Sequence, residues 1–203
     1  MFDKNRPVGI ESIKSYKEKI ESGFMEKYLS GANILEIGFA GYNPGRIVVP
    51  ITDTAIGIDQ GYPGYDGLHL PFDDNSQDAV YTSHTLEHLP DPIAALEEWF
   101  RVLKIGGFLI IIVPHWLLYE KKKELPSRFA GAGHFRFYLP STLLMDIQDA
   151  IPLGEWRLRH MIDNDLNFDY TLPNTTHSEG CYEIECVIEK IADPAYISQM
   201  MNR

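Results

Sequence analysis

The segment Asn33–Gly45, NILEIGFAGYNPG, sets an acidic residue and a glycine-rich turn at the end of an apolar run. Glu36, Gly38, Ala40 and Gly41 all fall within it. Glycines in such a turn let backbone approach a ligand closely. A helix after the turn would offer free N–H groups to an anion. A second apolar run, Ala55–Ile58, ends in Asp59, where a carboxylate suits hydrogen bonds from ribose hydroxyls. The pattern is that of a strand–turn–helix–strand unit that holds a nucleoside cofactor. It does not choose the cofactor. A nicotinamide domain uses the same logic, and strict GxGxxG is missing, with Ala40 where a second glycine is usual. Simpler roles stay open: Asp59 solvated or capping a helix, Glu36 bonded to the amides of its own turn.

Histidine supplies the second set of reactive groups. His84, Glu87 and His88 spell H-x-x-E-H, the inverted zinc-protease spacing. Leu89-Pro90-Asp91-Pro92 breaks the helix that would hold both histidines, so no metal ligand is named. A general base near neutral pH is the other use of histidine. His84, His115 and His134 are the catalytic candidates, and His88 is assigned to the pocket floor. For each one alone, a structural or exposed role is the commoner outcome. Arg136, in GAGHFRFYLP, suits a phosphate or carboxylate of an acceptor. Lys121, Lys122, Lys123 and Arg128 add to a basic cluster that a solvated surface explains equally well. Trp116 and Tyr119 suit stacking on a ring, or ordinary packing.

These residues need elements to position them. Ile13, Tyr16, Ile20, Phe24 and Tyr28 recur at helical spacing, which predicts one helix over Ile10–Leu29. Strands are expected at Asn33–Ile37, Ala55–Asp59, Ala79–Ser83 and Phe108–Val113, with a short one at Leu68–Leu70. Pro44, Gly45 and Pro50 leave room for only a short helix after the first strand. Pro92–Leu103 and Ser141–Gln148 read as helices, Trp156–Ile162 and Tyr182–Glu189 as further strands. Residues 115–139 form a connection long enough to be functional. Strands alternating with helices argue an α/β, doubly wound parallel sheet.

DGLHLPFDDNSQDAVYTSHTLEHLPDP at 66–92 and LEEWFRVLKIGGFLIIIVP at 96–114 follow the glycine turn in order. Together these motifs resemble the class I S-adenosylmethionine-dependent methyltransferases, the type 11-like group in particular, over about Asn33–Pro114. The resemblance implies a Rossmann-like sheet of seven strands whose antiparallel last strand lies between two others. It implies S-adenosylmethionine as cofactor. Glu36, Gly38, Ala40 and Gly41 would lie under its methionine part, with Asp59 on the ribose diol. Asp66 and Gly67 would meet the adenine, and Ser83 and His84 the methionine end. Arg136, Trp116 and Tyr119 would serve the acceptor within a lid at 115–139. IDNDLNFDYTLP and THSEGCYEIECVIEKI are similar to methyltransferases of bacterial surface-glycan synthesis, implying O-methylation of a small or glycan-linked acceptor. A nicotinamide-dependent reductase and a non-catalytic, cofactor-binding relative of the fold are the alternatives.

The whole chain, 203 residues with 44% hydrophobic content, suits one domain with a real core. A net charge of −11 argues against a general nucleic-acid partner. Cys181 and Cys186 are the only cysteines and read as reduced. No signal core or membrane-length apolar run occurs, so the expected location is cytoplasmic.

Overall fold

The computed structural model describes residues 2–120, 133–173, 176–192 and 194. The chain opens with α1, Ile13–Glu21, and α2, Phe24–Tyr28. The sequence reads these as one helix. The break is at Gly23, whose φ of 80° lies in the left-handed region. Ser22 N–H closes α1 on Glu18 O at 2.8 Å, and the chain restarts in a new direction.

The strands are β1 (Ile34–Ile37), β2 (Ala55–Ile58), β3 (Gln77–Ser83), β4 (Leu103–Pro114), β5 (Trp156–Asn164) and β6 (Glu183–Lys190). They form one sheet in the order β2-β1-β3-β4-β6-β5. β1 to β4 are parallel, and β6 runs antiparallel to both neighbours. The antiparallel last strand therefore lies between two others, as expected. The count differs: six strands are present among the described residues rather than seven. Leu68–Leu70 belongs to no strand. α3, Pro92–Val102, captures that segment instead. Leu70 N–H donates to Glu98 Oε1 at 2.7 Å, and Arg101 Nη2 donates to Leu70 O at 3.1 Å. With its polar backbone held by side chains, the segment pairs with no neighbour.

The connection after β1 holds only a single 3-10 turn, Ala40–Tyr42, as its prolines foretell. α3 starts at Pro92 and is capped by Asp91, which accepts from Ala94 N–H at 3.0 Å. α4, Pro140–Ala150, packs beside α3.

Strand alternation sorts the core into two layers. Leu35, Ile37, Leu109, Ile111 and Ile184 face α3 and α4. Ile34, Tyr81, Ile110, Ile112 and Val187 face α1 and α2. On that second face β6 also buries Glu183 and Glu185. Lys19 of α1 meets Glu185 at 2.6 Å with both side chains buried. The long connection is pinned at its base, where Trp116 N–H donates to Tyr138 O at 2.8 Å. Lys121, Lys122, Lys123 and Arg128 lie outside the described residues.

Candidate active site

The chain leaves β1 for β2 on one side and β3 on the other, which makes the carboxyl edge of β1 the switch point where open parallel sheets bind ligands. A cleft of about 330 Å³ lies there. Glu36, Gly38 and Ala40 line it from the β1 side, Ser83 and His84 from the end of β3. The segment Gly9–Ser12 forms the facing wall.

Gly38 has φ of 79°, and a Cβ there would run into the Thr85 side chain. Only glycine makes this turn. Gly38 and Phe39 donate their N–H groups to Ile58 O at 2.9 and 3.1 Å. The end of β2 is thereby fastened to the glycine turn, and Asp59 follows directly. Asp59 accepts from Gln60 N–H at 2.7 Å and lies outside the cleft lining, as do Gly41, Asp66 and Gly67. Asp66 already accepts from the His69 ring and from the Leu68 and His69 N–H groups. That hydrogen bonding, the His69 ring foremost, holds its carboxyl well below the ordinary range.

Glu36 is 5% exposed. Burial pushes its carboxyl up to about 7, against the Ile51 N–H, which donates to it at 2.6 Å, and the Arg6 charge. His84 sits at φ 52°, outside any helix. Its Nε2 meets Glu183 Oε1 at 3.1 Å. Burial lowers its pKa, but the Glu183 hydrogen bond and the Glu87 and Glu11 charges outweigh this and raise it above the ordinary histidine value.

The other predicted residues are placed elsewhere. His115 is buried at the end of β4, its Nδ1 accepting from Leu117 N–H at 3.1 Å and its Nε2 3.6 Å from Asp163. Burial lowers its pKa. Arg136 and Trp116 line a separate recess of about 300 Å³, where Arg136 lies 3.4 Å from Asp146. Tyr119 packs among His134, His177 and Tyr182, with ring centroids 5.5, 4.8 and 4.9 Å away. His134 is bonded through Nδ1 to Glu120 at 2.7 Å.

Sequence reasoning passed over Glu11, Asn43 and Arg46, which line the cleft, and Glu183 behind His84. Glu183 had a signal: with Glu185 it places two charges at alternate positions, on one face of the predicted strand. Glu11 had none, because it falls in the first turn of the predicted helix Ile10–Leu29, whose amphipathic pattern already accounts for a charge there.

Residues 61–111 match the family model for a methyltransferase domain. Over that segment the chain is similar to S-adenosylmethionine-dependent methyltransferases. A demethylmenaquinone methyltransferase of Roseiflexus castenholzii is 34% identical over 89 residues, covering 38% of this chain and 37% of that protein. One of Staphylococcus epidermidis is 47% identical over 75 residues, covering 37% and 29%. The chain thus spans about a third of the length of these curated relatives. The complex of the Haloferax volcanii Trm112 methyltransferase activator with a methyltransferase contains a similar fold. Its TM-score is 0.59 at 16% identity, over 91% of this chain and 93% of that one.

The residues present suit the methyltransferase cofactor. S-adenosylmethionine carries a sulfonium and an ammonium, and the cleft lining holds two carboxyl groups, Glu36 and Glu11, the latter paired with Lys14 at 2.7 Å, together with the cation Arg46. Its volume falls within the ordinary range for small-ligand sites.

Proposed function

We propose that this chain transfers a methyl group from S-adenosylmethionine to a hydroxyl of a small or glycan-linked acceptor. The observation that carries the reading is the cleft at the switch point, with Gly38 and Glu36 on one wall and His84 on the other. The bound cofactor supplies an electrophilic methyl group. In this reading Glu36, Gly38, Ala40 and Gly41 hold the methionine part, Asp59 the ribose, and Asp66 and Gly67 the adenine. Asp66 would exchange its local hydrogen bonds for that contact.

Methyl transfer requires chiefly that the acceptor oxygen be held in line with the sulfonium. Of the three predicted histidines, His84 is the one that lines the cleft, and Glu183 fixes its ring. We assign the acceptor hydroxyl to the edge formed by His84 and Ser83, where the unprotonated His84 imidazole would take the hydroxyl proton as the methyl group is transferred. His115 and His134 are assigned supporting places around it, and residues 115–139 the closing of the site. The curated relatives are named for demethylmenaquinone, which supports a small acceptor over a macromolecular one.

Calorimetric titration with S-adenosylhomocysteine, with NADH in parallel, tests the reading. Micromolar binding of the first alone is expected. Asp59→Ala should weaken it by on the order of 10-fold or more, since a hydrogen bond to a charged group is worth roughly 1.5–3 kcal/mol. Its thermal unfolding should stay unchanged. Binding of NADH alone would replace this reading with the reductase. Binding of neither would leave the non-catalytic relative. Release of S-adenosylhomocysteine in a screen of hydroxylated small molecules, sugar nucleotides and phosphorylated glycans then identifies the acceptor.

A further inference from the structure

Glu87 is fully buried, and among the described residues neither of its carboxylate oxygens accepts a hydrogen bond from another residue. An isolated buried carboxylate is costly unless something pairs with it. Two imidazoles stand beside it. His88 Nε2 lies 3.8 Å from Glu87 Oε1, and His84 Nδ1 lies 3.7 Å away. Across from His88 stands His134, ring centroids 4.6 Å apart. One donor atom each from Glu87, His88 and His134 can be chosen so that all lie within 4.8 Å of one another.

The backs of both rings are held. His88 Nδ1 is 3.1 Å from Gly133 O, and His134 Nδ1 is 2.7 Å from Glu120 Oε1. A carbonyl or carboxylate behind Nδ1 places the proton there and leaves Nε2 with its lone pair free. That is the arrangement of histidines that bind metals.

We propose that Glu87, His88 and His134 bind one divalent first-row transition-metal ion, with Glu120 as the group that orients His134. Metal–ligand bonds of about 2.0–2.2 Å place tetrahedral donors about 3.3 Å apart, so a modest inward movement closes the set. Two imidazoles and one carboxylate form a zinc- or iron(II)-type donor set with a position left open. The charges match: the ion would offset Glu87 directly and Glu120 at one remove. His88 also lines the cleft, so the open position lies beside the proposed transfer site. The H-x-x-E-H spacing is not used in the protease manner. His84 is outside any helix, and Leu86–His88 is one 3-10 turn. The second histidine comes from the far end of the 115–139 connection.

The proposal stands apart from methyl transfer and is tested by metal binding alone. Full-length protein without a histidine tag is stripped with chelator and titrated with Zn²⁺. One ion per chain at micromolar Kd or tighter is expected. His88→Ala and His134→Ala should each abolish stoichiometric binding. Glu120→Gln, a milder change, should weaken it roughly 10- to 100-fold and keeps the test valid if the alanine variants do not fold. Co²⁺ loading should give the intense visible bands of a low-coordinate site. No stoichiometric Zn²⁺ binding by the unmodified chain would overturn the proposal. So would affinity unchanged in folded His88→Ala or in Glu120→Gln, because the exposed histidines would then account for it.

Discussion

At the scale of single residues, Glu36 shows how the cleft stores an electrostatic cost. Its ordinary carboxyl value is 4.5, and burial lifts it to about 7 in the folded chain. Below pH 4.5 both states hold the proton. Between 4.5 and about 7 the unfolded chain releases it and the folded chain keeps it. Stability therefore falls as pH rises through this window, by on the order of 3 kcal/mol from this group. Arg6 faces Glu36 and opposes the shift, while the Tyr16 and Tyr81 phenols stay neutral across the window. Glu36→Gln should flatten the fall, read as urea unfolding free energy at several pH values from 4.5 to 7.5. An unchanged slope would assign the cost to other groups. Gly38 carries a steric constraint in the same turn. Gly38→Ala meets both a left-handed φ and the Thr85 side chain. It should cost roughly 2–4 kcal/mol in unfolding measurements, the sum of strain and overpacking. S-adenosylhomocysteine affinity should fall with it.

At the scale of elements, Gly23 is the instructive contrast. Its φ of 80° nearly equals that of Gly38, yet a Cβ would meet nothing within 4 Å. Gly23→Ala should therefore cost only the conformational part, about 1–2 kcal/mol in the same assay, with S-adenosylhomocysteine binding intact. A loss as large as that of Gly38→Ala would mean that the angle between α1 and α2 also shapes the site. Periodicity over Ile10–Leu29 does not reveal this break, because both helices bury aromatics at compatible spacing. Leu68–Leu70 failed as a strand for a different reason. Its backbone partners, Glu98 and Arg101, come from a helix about thirty residues later, and no local pattern announces them.

At the scale of the whole molecule, Lys19 and Glu185 join the first helix to the last strand inside the core. Ser15 and Asn164 complete their hydrogen bonding. Lys19→Met leaves a buried carboxylate without its cation and should cost about 3–5 kcal/mol in chemical denaturation. Lys19→Met combined with Glu185→Leu should recover most of that loss, because an apolar pair of similar volume replaces a desolvated ion pair. If the double variant is no more stable than the single one, the pair is a net source of stability and not a device that fixes how α1 docks. The docking matters to the cleft, since Gly9–Ser12, just before α1, forms one of its walls.

Local chemistry alone determined much of this protein. Apolar runs ending in Glu36 and Asp59, Gly38 between them, and the proline-limited first connection are all effects of neighbours in the chain. So are the Asp91 cap and the helix it begins. The order of the motifs also carried the resemblance to methyltransferases, and with it the antiparallel last strand. What the tertiary structure decided are the contacts between residues far apart in the chain. Because β6 runs antiparallel, its first residue reaches the same sheet edge at which β3 ends, and Glu183 meets His84 there. Because α1 packs on that face, Glu11 reaches the cleft wall. His134 arrives beside His88, while Arg136 and Trp116 turn to a separate recess. Residue spacing describes one face of one element, and a site assembled from four elements depends on how those faces pack.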